Sequence, residues 1–217
     1  MKIASRRDRE RRARRSSILN AADAVFNSKG FDQATMDDIA AEAELSKGTL
    51  YLYFKSKDDL FTALSSRMMH EVVVDYEALA EGRPTGIEAI RAMLVRHAEF
   101  ITEHPQHFRV VIGRLASGNM FDTDVPSFAE HQALIRRIMG SFVTAIERGR
   151  RDGTIRRGLD PVQTSTQLWG AFIGTMIIRI NSDEVVRRMP EHVNFDNFVD
   201  GFIDIVCGGL QPAIGGP

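Results

Sequence analysis

The chain has 217 residues, of which 43% are hydrophobic and 26% are charged. This length and composition support one sizeable domain or two small ones and exclude an intrinsically disordered protein. The formal net charge is −1, but residues 1–57 hold 12 basic and 8 acidic side chains, so the remainder of the chain is acidic. A basic N-terminal part followed by an acidic part is typical of a protein that places one end against a polyanion.

Cysteine usage and apolar runs exclude several further classes. Cys207 is the only cysteine, which excludes an intrachain disulfide and a cysteine-based zinc cluster. The uncharged run at residues 161–178 carries polar side chains through its first half, which argues against a membrane span. The arginine-rich N-terminus is not followed by the apolar core of a secretory signal. We therefore expect a soluble, cytoplasmic protein with no membrane contact.

The first fifteen residues contain eight basic side chains, opposed only by Asp8 and Glu10. One interpretation is a flexible arm that neutralises DNA phosphates. The other is a solvated, disordered tail. We assign residues 1–13 to this basic arm, and we expect Arg14 and Arg15 to contact the DNA backbone.

Two helices are predicted after the arm. Apolar side chains within residues 18–26 recur at three- and four-residue spacing, which predicts a helix that ends at Gly30. Thr35 is placed as an N-cap with Asp38 three residues later, an approximate capping box at the start of a second short helix. Residues 44–46 then form a turn.

The segment at residues 46–57 combines small residues, tyrosines and lysines within about two helical turns. Ser46 can cap a third helix that runs to about Phe54. A short helix, a tight turn and a second short helix rich in phosphate-binding groups describe a helix-turn-helix that reads DNA. We assign residues 14–60 to this three-helix domain.

Within this domain the DNA-contacting residues are predicted from residue type. Small residues let the backbone approach the duplex, and a lysine donates well to guanine O6 and N7. The predicted set is Arg14, Arg15, Thr35, Ser46, Lys47, Gly48, Thr49, Tyr51, Leu52, Tyr53 and Lys57. Lys47, Gly48, Thr49 and Leu52 are the expected base readers, and Tyr51, Tyr53 and Lys57 the expected phosphate clamps. The alternative for each one is a solvated side chain or, for Tyr53, a core position.

The chain after residue 57 also has helical spacing, and no convincing strand alternation is present, so the predicted fold class is all-α. Asp160 before Pro161 opens one of these helices, and Asn194 is the expected cap of the last. The predicted helices span about 57–79, 87–102, 105–115, 126–150, 161–180 and 195–207.

Several short motifs occur together across residues 14–61. They are Ile18-Leu19 with Ala21-Ala22, Phe26 before Gly30-Phe31, Thr35-Met36, Ile39-Ala40, Ser46-Lys47-Gly48-Thr49-Leu50-Tyr51, and Tyr53-Phe54-Lys55-Ser56-Lys57 before Leu60-Phe61. In this combination the segment, about a fifth of the chain, resembles the N-terminal domain of the TetR family of bacterial regulators. Two positions depart from the family pattern: Leu52 stands where an aromatic residue is common, and Glu44-Leu45 replaces a commoner Gly-Val turn.

The resemblance implies that the remaining helical bundle, residues 61–210, binds a small effector and forms a homodimer. Bulky apolar side chains recur on its helices, and some of them can line a pocket for a hydrophobic ligand. The alternative is that they fill the core. The residues concerned are Met93, Phe100, Phe108, Ile112, Leu115, Met120, Phe121, Phe128, Ile138, Phe142, Trp169, Phe172 and Met176.

The last two long helices are the predicted dimer interface. Gly170 and Gly174 are spaced to permit close helix packing, and Phe198 and Phe202 lie on the final helix. A four-helix interface with the symmetry mate would place two recognition helices about 34 Å apart, which matches successive major grooves. The double-stranded operator should then be a palindrome.

The predicted function is that of a ligand-responsive regulator, most simply a repressor released from its operator by a small hydrophobic effector. A transcriptional activator or a ligand-independent dimeric regulator is the alternative. A helical-bundle ligand carrier or enzyme with a vestigial DNA-binding domain is a remote one. No catalytic motif or cofactor-binding motif stands out. A metal site at His97, His104, His107 and His131 is disfavoured because Pro105 disrupts the spacing of the central pair.

Overall fold

The computed structural model describes residues 6–116, 123–188 and 193–213. Within these ranges the chain forms ten α-helices and no strand, which confirms the all-α prediction. The helices are α1 (Arg6–Lys29), α2 (Met36–Glu42), α3 (Lys47–Tyr51), α4 (Lys57–Gly82), α5 (Gly86–Glu103), α6 (Pro105–Ala116), α7 (Phe128–Asp152), α8 (Pro161–Ile180), α9 (Ser182–Arg188) and α10 (Phe198–Leu210). Met120 and Phe121 lie outside the described residues.

The chain divides into two compact units. The N-terminal unit comprises Met1–Met69 and Gln106–Ala133, and the C-terminal unit comprises His70–Pro105 and Leu134–Pro217. The predicted limits after residues 13 and 60 separate the chain by role in DNA binding, whereas these units are separated by their internal contacts. The predicted limits therefore stay a prediction.

The core of the N-terminal unit is built from the apolar faces of α1 to α4. Ile18, Ile39, Leu50 and Leu60 have no exposed surface, and Phe54 has 1%. α3 has only five residues, too few for an isolated helix to be stable. Burial of Leu50 and Phe54 therefore fixes α3 against its neighbours and determines which of its faces is exposed.

In the C-terminal unit, α5 packs against α8 and α10. A capping box starts α5, because Thr85 N–H donates to the Glu88 carboxylate at 3.1 Å and Glu88 N–H donates to Thr85 Oγ1 at 3.4 Å. A Cβ on Gly86 would lie 2.2 Å from the backbone nitrogen of Gly149. The backbones of α5 and α7 are therefore in contact at this point.

Arg148 closes the C-terminal end of α4. Its guanidinium donates to the carbonyl oxygens of Ala80, Glu81 and Thr85 at 3.0, 3.1 and 2.8 Å, and also to that of Arg83. The last carbonyls of a helix have no partner within the helix. One side chain therefore satisfies both the end of α4 and the segment that leads to α5.

The predicted flexible arm is helical from Arg6 onward, so α1 starts about ten residues earlier than the sequence analysis placed it. Arginine, alanine and glutamate are good helix formers. Arg6 Nε also donates to the Glu10 carboxylate one turn later at 2.8 Å. Local helix propensity thus extends α1 through a segment that has almost no buried surface.

The last helices also differ from prediction. α10 begins at Phe198 with Asn197 in the cap position, not Asn194, and Asn197 makes no side-chain cap bond. Asn194 Oδ1 instead accepts a hydrogen bond from Asp196 N–H at 2.9 Å, as in an Asx turn. α9 was not predicted. It follows Asn181, which ends α8.

Candidate nucleic-acid interface

The start of α2 is fixed by the predicted capping box. Asp38 N–H donates to Thr35 Oγ1 at 3.1 Å, and Thr35 N–H donates to the Asp38 carboxylate at 3.0 Å. Lys29 Nζ also donates to this carboxylate at 2.6 Å. The hydrogen bond from Lys29 and those from Thr35 lower the pKa of Asp38 to about 2. Asp38 is therefore ionised at neutral pH and ties the end of α1 to the start of α2.

The turn between α2 and α3 contains one unusual backbone conformation. Glu44 has a φ of 54°, in the left-handed region that favours glycine. Leu45 N–H donates to the Ala40 carbonyl at 2.9 Å. Ser46 Oγ then accepts from Thr49 N–H at 3.2 Å, which caps α3 as predicted.

α3 presents one face to solvent while Leu50 holds the opposite face in the core. Tyr51 is 44% exposed and Leu52 is 78% exposed, both high for such large side chains. Lys47 and Gly48 are also exposed, and Thr49 is partly buried. Tyr53 is partly buried and packs against the core, which is the alternative that residue type had left open for it.

Lys47 forms an ion pair across the helix-turn-helix. Its Nζ lies 2.8 Å from Asp37 Oδ1 and donates to Oδ2 at 3.0 Å. The hydrogen bond with Asp37 raises the pKa of Lys47. Both side chains are more than half exposed. Sequence reasoning missed Asp37, because ten residues separate the pair and only the fold brings them together.

Lys57, a predicted phosphate clamp, is hydrogen-bonded within the protein, and its contact with DNA stays a prediction. Its Nζ donates to the carbonyl oxygens of Phe31, Asp32 and Ala34 at 2.7, 3.2 and 2.9 Å. The ammonium also lies 4.5 Å from the centre of the Phe31 ring. All three of its N–H donors are used within the protein. The structure therefore assigns Lys57 to the loop between α1 and α2.

The two predicted backbone-contacting arginines have different surroundings. The Arg15 guanidinium lies 5.1 Å from the centre of the Phe54 ring, a cation–π contact beside α3. Arg14 is exposed on α1. Arg14 thus keeps its guanidinium in solvent, whereas Arg15 is partly packed.

A second group of contacts within the N-terminal unit was not predicted. Arg114 of α6 forms an ion pair with Asp58 in the first turn of α4. Its guanidinium lies 5.2 and 5.6 Å from the ring centres of Phe31 and Phe61. No sequence signal distinguishes Arg114 from other surface arginines, since its partners are more than 50 residues away.

The helix-turn-helix segment matches a known protein family. The sequence profile described as bacterial regulatory proteins, tetR family, matches residues 18–64. The HTH-type transcriptional activator FasR of Mycolicibacterium smegmatis is 32% identical over 199 residues, covering 91% of this chain and 83% of that protein. The chain belongs to the TetR family.

Other TetR relatives match over most of their length. The fatty acid metabolism regulator protein of Bacillus subtilis is 22% identical over 180 residues, covering 81% of this chain and 88% of that protein. The crystal structure of FadR from Bacillus subtilis in complex with stearoyl-CoA has a TM-score of 0.69 at 18% identity, covering 90% and 99% of the two chains. The ketosteroid regulator KstR2 of Mycobacterium tuberculosis has a TM-score of 0.61 at 20% identity, covering 98% of both. These structures establish a shared fold.

As a TetR-family protein, the chain is a DNA-binding transcriptional regulator. Regulators of this family bind operator DNA as homodimers and respond to small-molecule effectors. Within the described residues no helix is both long and apolar enough to cross a membrane. The same residues contain no group of three or more His, Cys, Asp or Glu side chains placed to hold a metal ion.

The predicted effector residues of this TetR-family chain are divided between its two units. Phe108, Ile112, Leu115 and Phe128 belong to the N-terminal unit, and Met93, Phe100, Ile138, Phe142, Trp169, Phe172 and Met176 belong to the C-terminal unit. Three described clefts have volumes of 590 to 610 Å³, and none of them is lined by these residues. The assignment of these residues to a ligand therefore stays a prediction.

A polar pair lies among the aromatic side chains of the C-terminal unit. Tyr76 is fully buried and hydrogen-bonds His97 Nδ1. The Phe142 and Phe172 rings lie edge-on to Tyr76 and His97 at centroid distances of 5.6 and 5.2 Å. Burial raises the pKa of Tyr76 well above its usual value and lowers that of His97 to about 4. At neutral pH the His97 imidazole is therefore uncharged and shares a hydrogen bond with the Tyr76 hydroxyl.

The predicted dimer residues lie on α8 and α10. Gly170 and Gly174 are exposed, and a Cβ on either would have no atom within 4 Å. Phe198 and Phe202 are partly buried, and the Phe202 ring lies 6.1 Å from that of Phe172. Part of the Phe202 side chain is therefore buried within its own protomer.

Proposed function

We propose that α3, together with the first turn of α2, enters the major groove of operator DNA. The observation that carries this proposal is the exposed face of a capped, core-anchored α3 with Lys47, Gly48, Tyr51 and Leu52 in solvent. Lys47 donates to a guanine, and Leu52 contacts a thymine methyl group. Gly48 lets the helix backbone approach the duplex, with Thr49 beside it.

Phosphate contacts come from groups around that face. The hydroxyls of Ser46 and Tyr51 lie at a helix end or in solvent, where they can donate to phosphate oxygens. The Thr35 hydroxyl donates to the Asp38 carboxylate at 2.8 Å, so Thr35 meets a phosphate as part of the capped start of α2. Arg14 adds a charge contact from α1. We propose that Tyr53, Lys57 and the stacked Arg15 mainly stabilise the domain formed by α1, α2 and α3.

The second element of the proposal is the surface used for dimerisation. α8 and α10 expose apolar side chains that an interface with a second chain would remove from water. They are Val162 at 63%, Ile178 at 40% and Ile205 at 76% exposed. Gly170 and Gly174 leave room for another helix on the same elements. A two-fold pair of chains then reads a palindromic operator.

The third element is the effector, which we propose is a fatty acyl-CoA. The names of two relatives support this class, namely the fatty acid metabolism regulator and the FadR structure that holds stearoyl-CoA. The interior of the C-terminal unit is apolar and aromatic around Phe142, Phe172 and Met176. It suits an acyl chain, and Tyr76 and His97 are polar groups within it.

The effector can either release the protein from DNA or strengthen its binding. We propose a repressor that operates in the cytoplasm, where its DNA lies, and that has no catalytic role. Effector binding favours a conformation with lower DNA affinity. Activation is the second candidate, because the relative that is 32% identical is named as an activator.

DNA reading is tested by selecting duplexes from a random library with the purified protein. We expect a palindrome, and the double substitution Lys47→Ala/Tyr51→Ala should lower affinity for it at least about tenfold. Arg151→Ala, which removes a charge in the C-terminal unit, is the matched control and should bind like the wild type. Enrichment of no sequence would refute the proposal.

The effector class is tested by thermal unfolding with stearoyl-CoA, CoA alone and a ketosteroid. Stearoyl-CoA at about 100 times its dissociation constant should add about 2.7 kcal/mol of stability. It should also release the operator, whereas CoA alone should do neither. A response to the steroid alone would replace the proposed class, and operator binding that tightens with stearoyl-CoA would favour activation.

A further inference from the structure

We propose that Asp37 and Lys47 act together as a donor–acceptor pair that reads one G·C base pair in each half of the operator. This inference rests on the proposed entry of α3 into the major groove. It adds Asp37 to the residues that determine sequence preference and names the base pair that is read. The carboxylate and the ammonium are each more than half exposed on the surface of the helix-turn-helix.

Asp37 takes no part in the capping box at the start of α2. The capping box at the start of α2 uses Asp38, which also receives the hydrogen bond from Lys29. Asp37 is the next acidic residue in the same turn, and its described contacts are those with Lys47. An ion pair this exposed stabilises a fold only weakly. Its negative charge in the first turn of α2 also interacts favourably with the helix dipole, a modest contribution to stability that leaves the exposed carboxylate accessible to a base.

The negative charge of Asp37 opposes DNA binding in general, because a carboxylate on a surface that meets DNA is repelled by phosphates on every sequence. A base that offers a hydrogen-bond donor to this carboxylate offsets the repulsion. In the major groove the cytosine N4 amino group is such a donor, and aspartate is one of its known partners.

The spacing of the two charged groups is close to that of the donor and acceptor atoms of a base pair. Lys47 Nζ and Asp37 Oδ1 are 2.8 Å apart. In a G·C pair, cytosine N4 and guanine O6 are joined by a Watson–Crick hydrogen bond, about 2.9 Å for an N–H···O contact. The protein pair therefore matches the base pair, with Lys47 facing guanine O6 and N7 and Asp37 facing cytosine N4. An A·T pair also presents a donor beside an acceptor, adenine N6 and thymine O4, but it has no second acceptor next to O4 and carries a thymine methyl group there, so it fits this pair less well.

The ion pair with Asp37 also preorganises the Lys47 side chain. A free lysine side chain has four rotatable carbon–carbon bonds that must be ordered when it binds. Asp37 fixes the ammonium before DNA arrives, while Lys47 has three N–H donors and the carboxylate need not occupy all of them. Asp37 is thus both an acceptor for the base and a positioning residue for Lys47.

The experiment measures binding of full-length protein to the selected operator and to variants with each base pair changed in turn. For the wild type, one position per half-site should favour G·C over A·T at least about fivefold. Asp37→Ala should remove most of that preference at this position and leave the others unchanged. It should also raise affinity for unrelated DNA. Lys47→Met should lose the same preference without that rise.

Glu42→Ala is the matched control, because it removes a negative charge from the exposed surface of the same short helix. It should keep the base preference of the wild type. Thermal unfolding of each variant checks that the domain is folded. If Asp37→Ala keeps the preference at every position, or loses it equally at all positions, the inference is overturned while DNA reading stands. If the wild type selects no sequence, both fail.

Discussion

At the scale of single residues, the lysines of the N-terminal unit differ by their acceptors. Lys47 meets one exposed carboxylate and remains in solvent, so it is available to DNA. Lys57 donates to three backbone carbonyls, and two of these hydrogen bonds are partly buried. We therefore propose a DNA-reading role for Lys47, whereas Lys57 stabilises the loop between α1 and α2.

Replacing Lys57 with methionine should destabilise the protein by about 2–3 kcal/mol, because partly buried carbonyl oxygens lose charged hydrogen bonds. The measurement is urea unfolding at neutral pH. Lys55→Met, an exposed neighbour, should change the free energy of unfolding by less than about 0.5 kcal/mol. A Lys57→Met protein with unchanged stability but weak DNA binding would restore the phosphate-clamp interpretation.

The Tyr76–His97 pair predicts a pH dependence of stability. The pKa of His97 is about 4 in the folded protein and 6.5 in a free side chain. Between these values the unfolded chain binds a proton that the folded one does not, so stability falls as pH drops from 6.5 to 4. The loss from this residue is at most about 3 kcal/mol.

Urea unfolding at several pH values tests this dependence. His131, also with a pKa of about 4 because of burial, should contribute a similar slope. His97→Gln should therefore flatten the dependence by about half and not abolish it. An unchanged slope would mean that His97 is protonated as readily in the folded protein as in the unfolded chain.

At the scale of helices, the backbones of α5 and α7 approach closely at Gly86. Gly86→Ala should destabilise by about 3 kcal/mol, since the new Cβ would lie 2.2 Å from a backbone atom that cannot move away alone. Gly113→Ala in α6 is the control, because its Cβ would have no atom within 4 Å. It should stabilise by about 0.5–1 kcal/mol. Thermal unfolding measures both variants. Equal changes in stability for Gly86→Ala and Gly113→Ala would show that the packing at Gly86 tolerates a Cβ.

Helix ends could be predicted where their determinants are local. The Thr35 and Asp38 capping box spans three residues, and Asp160 before Pro161 likewise caps α8. Asn194 and Asn197 carry the same signal three residues apart, and only the finished packing selects one. The helical arm was missed because a basic, polar segment has no apolar periodicity.

The candidate site could also be predicted where its determinants are local in the sequence. The exposed face of α3 follows from the burial of Leu50, which sequence spacing indicates. The partners of Lys57 and Lys47 could not be predicted, since they lie 10 to 26 residues away along the chain. The family pattern gave one more hint: Glu44, where glycine is commoner, has a φ of 54°.

At the scale of the whole molecule, operator binding depends on a second copy of the chain. Ile205→Glu places a charge at the most exposed apolar position of α10 and should separate the dimer into monomers. Each monomer then loses the gain from binding both half-sites, so operator affinity should fall at least about a hundredfold. Analytical ultracentrifugation measures the association. Val74→Glu on α4, also exposed, should leave the dimer intact.

The helical extension at the start of α1 has a kinetic consequence. Residues 6–15 carry seven arginines against one aspartate and one glutamate, and as a helix they span about 15 Å. A stiff rod of positive charge attracts a duplex over roughly a Debye length before any contact forms. It also avoids the ordering entropy that a floppy tail would lose. The extension should therefore accelerate the search for the operator along the chromosome more than it prolongs the stay once the operator is found.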